Sequence, residues 1–463
     1  VKIGQNERGI TMDVNASNKG DDYEPRFSAQ AHGYLYDEDA GVELTLLDGA
    51  GRTGVDLGLK ALLEENGLRA HFYPERPIIA YRHFNLNDDN YLHLGRGGTI
   101  GTDIRLSSDD GSSMALYSIP DTLANDLTLT LNKFELGELT DLLPFLPQIK
   151  GTLGGDIHLI DDHKEQSAMG TLNLANFEFE DIKMGDVGLE VIYMPKEDSE
   201  HHFNAFVSAA ETEVMALEGV YYNNRNGHFE GKADMMNFPL HLLNGFLIGT
   251  DFALKGNAGG TLNVVGNLTS PKLDGALQFD EAHLYSDVYG LDFRMDEQAV
   301  PINGGMMHFN DYNLYSKQSQ NPLQVNGKLD LRQLDNPQIN ITLQAKNFEL
   351  INSKRQKQSL AFGKVYTDFN GTVRGSLDKL VVRGNLGILP GTNMTYILKD
   401  SPLTVEDRLN SLVKFVDFND TTTVKPEPVE RGQFDLALGI SINEKFDLGI
   451  AQRTAVTLFL YDI

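Results

Sequence analysis

Glycines at Gly95, Gly97 and Gly98 in LGRGGTIG have the opening spacing of a loop that cradles a dinucleotide pyrophosphate. Ile100 stands where the last glycine of that fingerprint should fall and no helical pattern follows, so the segment reads as a turn. GHFEGK (Gly227 to Lys232) is one spacer short of a phosphate loop and lacks its Ser or Thr. Glu200, His201 and His202 are residue types that ligate metals, but consecutive side chains on a strand point to opposite faces, so a solvated loop or strand start fits them better. The carboxylate pairs Asp109–Asp110 and Asp161–Asp162 fall in loop-like sequence, whereas acid–base catalysis needs two groups held across a cleft. SSDDGSS has no G-x-S-x-G elbow around it, and no acidic loop matches the calcium-binding spacing. Asn267 and Asn393 open Asn-x-Ser/Thr sequons, which would mean little if the source is bacterial. No enzyme activity, cofactor or metal is expected from these residues.

Composition narrows the field further. The chain has 463 residues, with 39 Lys and Arg against 66 Asp and Glu, for a formal net charge of -27. A field of that sign repels phosphate backbones, so nucleic-acid binding is not expected. Cysteine is absent, which removes disulfides and thiolate metal sites without fixing a compartment. Tryptophan is absent too, which argues against the aromatic platforms of a sugar-binding β-helix or surface adhesin.

What dominates instead is a unit that recurs three times: an alternating strand ending in Phe, a short leucine-rich stretch, then a G-x-x-x-G-x-[IL] strand. DLTLTLNKFEL leads into GTLGGDI (Phe134, Gly151, Gly155), EGKADMMNFPL into GNAGGTL (Phe238, Gly256, Gly260), and INITLQAKNFEL into GTVRGSL (Phe348, Gly371, Gly375). The period is roughly 105 to 115 residues, against ~20 to 50 in ordinary solenoids, so each unit must hold several strands. A second strand opening on glycine follows each copy, at Gly170, Gly275 and Gly384. With no linker evident, the expected organisation is one continuous repetitive body: a sheet segment over 1–120, then repeats over 121–230, 231–340 and 341–463.

Within these strands apolar and polar residues alternate. Leu127, Leu129 and Leu131 share one face, as do Ile339, Ile341 and Leu343, and Phe434, Leu436, Leu438 and Ile440. Such alternation belongs to antiparallel strands with one oily and one wet face. Helices are few: 404–416 within TVEDRLNSLVKFV, and weaker helical turns at Gly137 to Pro147 and Pro239 to Leu247. Each of the two turns is placed either to pack on its own repeat or to cross the oily face of a curled sheet.

The stretches FELGELTDLLPFLPQIKGTLGGDI, GTVRGSLDKLVVRGNLGI and DSPLTVEDRLNSLVKFVDF resemble the AsmA-like TamB family, the translocation and assembly module subunit, in its long Bacteroidota form. The likeness in pattern runs from about Phe27 to Leu448. It implies a mainly β fold, a long, curled, repetitive sheet called a β-taco, with an apolar concave groove. It further implies a bridge-like periplasmic protein, anchored in the inner membrane, that carries phospholipid and meets an Omp85-type barrel of the outer membrane. The sequence is expected to be a piece of such a chain, with the anchor outside it and an atypical tail at 451–463.

The residues support a groove on their own terms. Acyl chains cost ~0.8 kcal/mol per CH2 in water, so a lipid carrier needs a continuous apolar lining more than any particular polar contact. Alternating strands supply one, while their ladders satisfy the backbone; the same alternation also fits the closed core of an ordinary β-sandwich or barrel, and the resemblance tips the balance to the groove. Expected function is therefore the shielding of phospholipid acyl chains. The alternatives are a scaffold that templates outer-membrane protein strands by edge pairing, and an adhesin or β-helix binding module.

Overall fold

A computed structural model describes residues 1–397, apart from connecting segments at 7–8, 18–26, 37–38, 120–124, 144–145, 162–164, 197–198, 224–226, 268–269, 317–318, 334–335, 358 and 377–378. Beyond these it gives the backbone of Asp435–Ile442 and Asp447–Ile450. The helix expected at 404–416, Phe434 and the tail 451–463 lie outside the described residues. The described chain is mainly β, as the alternation predicts, and forms two compact units: Val1–Phe238 with Asn263–Thr269, and Pro239–Leu262 with Ser270–Ile463.

The first unit is an antiparallel meander. Strands Lys2–Asn6, Gly9–Ser17, Phe27–Tyr36, Asp39–Asp48, Thr53–Glu64 and Gly67–Ile79 pair in sequence order. After a short excursion the ladder resumes with Tyr91–Gly95, Ile100–Ser107, Ser113–Ser118 and Asn125–Glu135. Ile149–Asp161, Gln166–Phe179, Ile182–Lys196, Glu200–Ala209, Thr212–Tyr222 and His228–Pro239 complete it. The sheet is curled. Leu142, fully buried at 0% exposure, lies so close over Gly54 that a Cβ there would come within 2.4 Å of its methyl group. Strand Thr53–Glu64 is far in ladder order from Asn125–Glu135, the strand that leads into the segment carrying Leu142, so the sheet bends to bring Leu142 over Gly54.

Leu142 belongs to the α-helix Leu136–Leu142, which is shorter than the expected 137–147. Pro144 follows closely in sequence and disfavours helical geometry in the residue before it. This helix packs on Ile149–Asp161 in its own repeat and also reaches strand Asp39–Asp48, while Glu138 accepts a 2.6 Å hydrogen bond from Arg82 Nε. The placement on its own repeat anticipated for it therefore holds, with an added contact to a distant strand. Its counterpart is a 3-10 helix, Leu240–Leu247, pinned by Asn244: Leu254 N–H donates to Oδ1 at 2.7 Å, and Nδ2 donates to the Leu254 carbonyl at 3.0 Å. Leu240 packs there with Ala258 and Ala282.

In the second unit, Met306–Ser316, Pro322–Asp330, Gln338–Ser353, Ala361–Ser376 and Lys379–Ile388 form an antiparallel run. Asp435–Ile442 adds to Lys379–Ile388 in parallel. The short strands Leu291–Met295 and Val300–Asn303 each pair with both Ser270–Ser286 and Met306–Ser316.

The repeat-defining residues mark bends. In each copy the residue before the Phe is left-handed: Lys133 (φ 49), Asn237 (φ 67) and Asn347 (φ 45). The register slips between Leu131 and Phe134 and between Ala345 and Phe348, which is a bulge carrying one extra residue on one strand. Asn176–Phe177 and Asp311–Tyr312 repeat the device. An amide or carboxylate on the neighbouring strand often satisfies the freed N–H: Asn347 N–H donates to Asp368 Oδ1 at 2.7 Å, and Asn176 N–H to Asp186 Oδ1 at 2.7 Å. The extra residue lets the aromatic rejoin the face that the preceding leucines occupy, although three positions rather than two separate them.

One expectation needs correction. Gly151, Gly256, Gly371 and the second-strand glycines Gly170, Gly275 and Gly384 do not start strands but lie inside them. The physical reason is clearest at Gly155. Its φ is 147, and a Cβ there would sit 2.0 Å from the Thr171 carbonyl oxygen, so only glycine permits this approach of two strands. Gly260 repeats the arrangement, where a Cβ would sit 2.2 Å from the Ala276 carbonyl oxygen.

Candidate functional site

Pairing register converts the alternation of single strands into rows that cross the sheet. In the first unit Leu116 stands opposite Leu129, which faces Ile157, and the row continues through Gly170, Val191, Ala205, Leu217 and Ala233. A second row runs through Met114, Leu131, Gly155, Leu172, Leu189, Val207, Met215 and Met235. Leu127 joins Leu159 and Ala168 in a third. The intervening positions, such as Thr130, Asp156, Thr171 and Glu190, form polar rows on the other face.

The apolar face is only partly covered. Among described residues 149–239 the buried hydrophobic side chains are Met184, Ala205 and Val214, while Leu159 remains 46% and Leu189 37% exposed. Leaving that much leucine surface in water forgoes on the order of 1 kcal/mol per residue, and contiguous exposed apolar surface of this kind marks interaction or ligand-binding faces. Leu127, Leu129 and Leu131 are likewise half-buried, whereas Thr128 behind them is buried and within 3.1 Å of His158 Nδ1. Toward the preceding strands the face closes, where Phe84, Leu86, Ile104 and Leu106 form a buried cluster against which Met114, Leu116 and Phe134 pack.

In the second unit Ile339, Ile341 and Leu343 occupy successive rows: Ile339 with Leu329 and Gly375, Ile341 with Val373 and Val382, Leu343 with Val325 and Gly371. Register places Leu436 beside Val382, Leu438 beside Gly384 and Ile440 beside Leu386. The structure thus aligns two of the sequence-predicted sets, which are separated by nearly a hundred residues in the chain. Ile339, Ile341 and Leu343 are half-buried, but beyond them Phe293, Leu323, Ala345 and Phe348 close into a cluster that also engages Leu343. Phe238 is half-buried, and Phe348 is buried at 1% exposure.

Sequence reading missed the widest part of the first-unit face, on strands Gln166–Phe179 through His228–Pro239. Its signal was present as TLNLANF, VGLEVIY and NAFVSA, where apolar residues alternate with Asn, Glu and Ser. It also missed rings at one margin, Tyr193, His201, Phe203, Tyr221 and Phe229.

The residues weighed for other chemistry are placed as follows. Gly97 and Gly98 form the turn between two strands, with Gly95 N–H donating to the Thr99 carbonyl at 2.7 Å. Glu200 and His202 pair on one face at 3.1 Å, while His201 points to the other, toward Tyr193. Asp110 pairs with Arg82, and its carboxyl lies below the usual range because Ser112 N–H and hydroxyl donate to it, with Arg82 adding its charge. In the second unit Asp292 Oδ1 lies 2.5 Å from His283 Nδ1 and Oδ2 accepts from Lys255 Nζ at 3.1 Å. Burial pushes the Asp292 carboxyl up, but the hydrogen bonds and charges of His283 and Lys255 outweigh it and leave the pKa depressed. Among the described residues no group of three His, Asp or Glu converges as a metal site, and no helix is long and apolar enough to cross a membrane.

Residues 313–460 match the family model described as the TamB C-terminal domain. No curated protein and no solved structure matches the chain. The match takes in strands Pro322–Asp330 through Asp447–Ile450, and therefore the rows of Ile339, Ile341 and Leu343. It supports involvement in outer-membrane assembly and an envelope-associated setting. Together with the mainly β architecture, it supports a TamB/AsmA-like assignment for residues 313–460, where the match lies.

Proposed function

We propose that the apolar face shields the acyl chains of phospholipids in the periplasm, in a non-enzymatic protein that supports outer-membrane lipid homeostasis and assembly alongside an Omp85-type barrel. The observation that carries this reading is the run of in-register apolar rows on strands Asn125–Glu135 to His228–Pro239 that the fold leaves half-exposed. A ligand that needs no specific polar contact, only continuous apolar lining, matches such a surface. The backbone beneath it is engaged in ladders, so the lining asks few hydrogen bonds of the chains. The formal charge of -27 keeps the outer face hydrated.

Purification from a bacterial periplasm without detergent, followed by native mass spectrometry and lipid extraction, tests the reading. Copurified phospholipid that is lost in Leu129→Asp and retained in Thr130→Asp, with both variants folded by circular dichroism, is the expected result. A folded, lipid-free protein would overturn it and favour the scaffold for outer-membrane protein strands.

A further inference from the structure

The half-exposed face of the first unit has two unlike margins. On strands Gln166–Phe179, Ile182–Lys196 and Glu200–Ala209, one margin is the aliphatic row Leu174, Val187 and Ala209. At the other end of these strands, Tyr193 stands opposite Phe203, and His201 opposite Tyr221. These positions keep the parity of Leu189 and Val191, so the rings belong to the apolar face.

The ring margin is built, not incidental. Phe203 lies across Gly219 and Phe229 across Gly231, where a Cβ would come within 2.4 and 2.7 Å of ring carbons. The two rings stack with centroids 5.2 Å apart. Outside them, the Tyr193 and His201 rings are nearly parallel with centroids 6.0 Å apart, and the Tyr193 hydroxyl is 2.7 Å from His201 Nδ1. Tyr221 completes the set, 6.0 Å from His201. Tyrosine and histidine join an apolar body to a polar tip, the combination suited to a boundary between hydrocarbon and water. The aliphatic margin offers no such tips.

Distance agrees with this polarity. From Val187 to Tyr193 the strand advances roughly 20 Å at ~3.4 Å per residue. That span exceeds the ~15 Å depth of one leaflet, half of the ~30 Å hydrocarbon core of a bilayer, so an acyl chain laid along the strand fits between the margins. We propose that the phosphodiester headgroup of a bound diacyl lipid sits at the Tyr193–His201–Tyr221 margin, with its chains running along the strands toward Val187. This rests on the lipid-shielding reading above and adds a direction to it. Hydroxyl and imidazole groups serve as the headgroup's hydrogen-bond partners, and the chain's net negative charge makes hydrogen bonding rather than bulk charge the means of recognition.

Because the chain contains no tryptophan, one introduced indole reports on one place. Tyr221→Trp marks the ring margin and Val187→Trp the aliphatic margin, with Leu174→Trp on the same row if Val187→Trp fails to fold. Each is loaded from vesicles of phosphatidylcholine bearing a nitroxide either on the headgroup or near the chain end. The headgroup nitroxide should quench Tyr221→Trp several-fold more than Val187→Trp, and the chain-end nitroxide should reverse that order. Equal quenching or the opposite order, with lipid shown bound by native mass spectrometry, overturns the headgroup assignment alone. No bound lipid in either reporter or in the unsubstituted chain overturns the lipid reading, and the assignment with it.

Discussion

Strands 149–239 of the first unit and residues 291–365 of the second are written in the same alternating code, yet they end in different states. In the first, apolar rows stay half-exposed, with Leu159 and Leu189 among the exposed hydrophobics. In the second, Phe293 and Phe348 meet with ring centroids 5.9 Å apart, and Val300, Ile302 and Val365 are almost wholly buried. The difference lies in the lengths of the strands that build the face. The short strands Leu291–Met295 and Val300–Asn303, of 5 and 4 residues, contribute side chains to the second unit's core, whereas the strands within 149–239 run to 10–15 residues. Alternation thus specifies that a face is oily, and interruptions in strand length specify whether the protein covers that face itself.

The sharpest way to break this comparison is to truncate one side chain in each region. Phe348→Ala should cost about 3–5 kcal/mol because its site is fully enclosed, while Leu189→Ala, already part-exposed, should cost about 1 kcal/mol or less. Urea denaturation followed by circular dichroism measures both, and similar losses would mean that the first-unit face is closed in solution. Leu142→Ala should follow at about 2–5 kcal/mol, since it empties the contact over Gly54 that the curl creates. A loss below that range would show that the helix Leu136–Leu142 is a passive connector.

Charge substitution sharpens the comparison from the functional side. Leu189→Asp should leave the fold intact and abolish lipid copurification, whereas Ile302→Asp, at a site with 0% exposure, should unfold the second unit. Loss of structure in Leu189→Asp, read by near-ultraviolet circular dichroism, would contradict an open face.

The smallest expected effect concerns pH. The Asp292 carboxyl has a depressed pKa in the folded state, so it contributes stability that is present above the unfolded carboxylate value and lost as pH falls through the lower folded value. Asp292→Asn should therefore lower stability slightly at neutral pH and flatten its decline in acid. The aliphatic rows of the first unit's face carry no titrating group, and its lipid content should show no matching change over the same acid range. Parallel acid titrations of stability and lipid occupancy decide this.

Much of the fold was legible in the residues. The strands around Leu127 to Leu131 and Ile339 to Leu343 were evident because a period of two is what an extended chain with one covered face produces. The bulges were also written in the chain, as a slip from Leu131 to Phe134 and from Ala345 to Phe348, but a single phase error looks like noise until the partner strand shows the extra residue unpaired. The glycines were seen and given the wrong place, because closeness to a neighbouring carbonyl, as at Gly155, depends on a strand that lies elsewhere in sequence.

The sequence by itself determined the secondary structure, the two faces of each strand and the acidic exterior, since these follow from local periodicity and composition. Only the tertiary structure decided which rows align, where Tyr193, His201 and Tyr221 gather at one margin, and where the oily face is covered. Register and curl are set by hydrogen bonds and contacts between strands distant along the chain, and no property of a single strand records them.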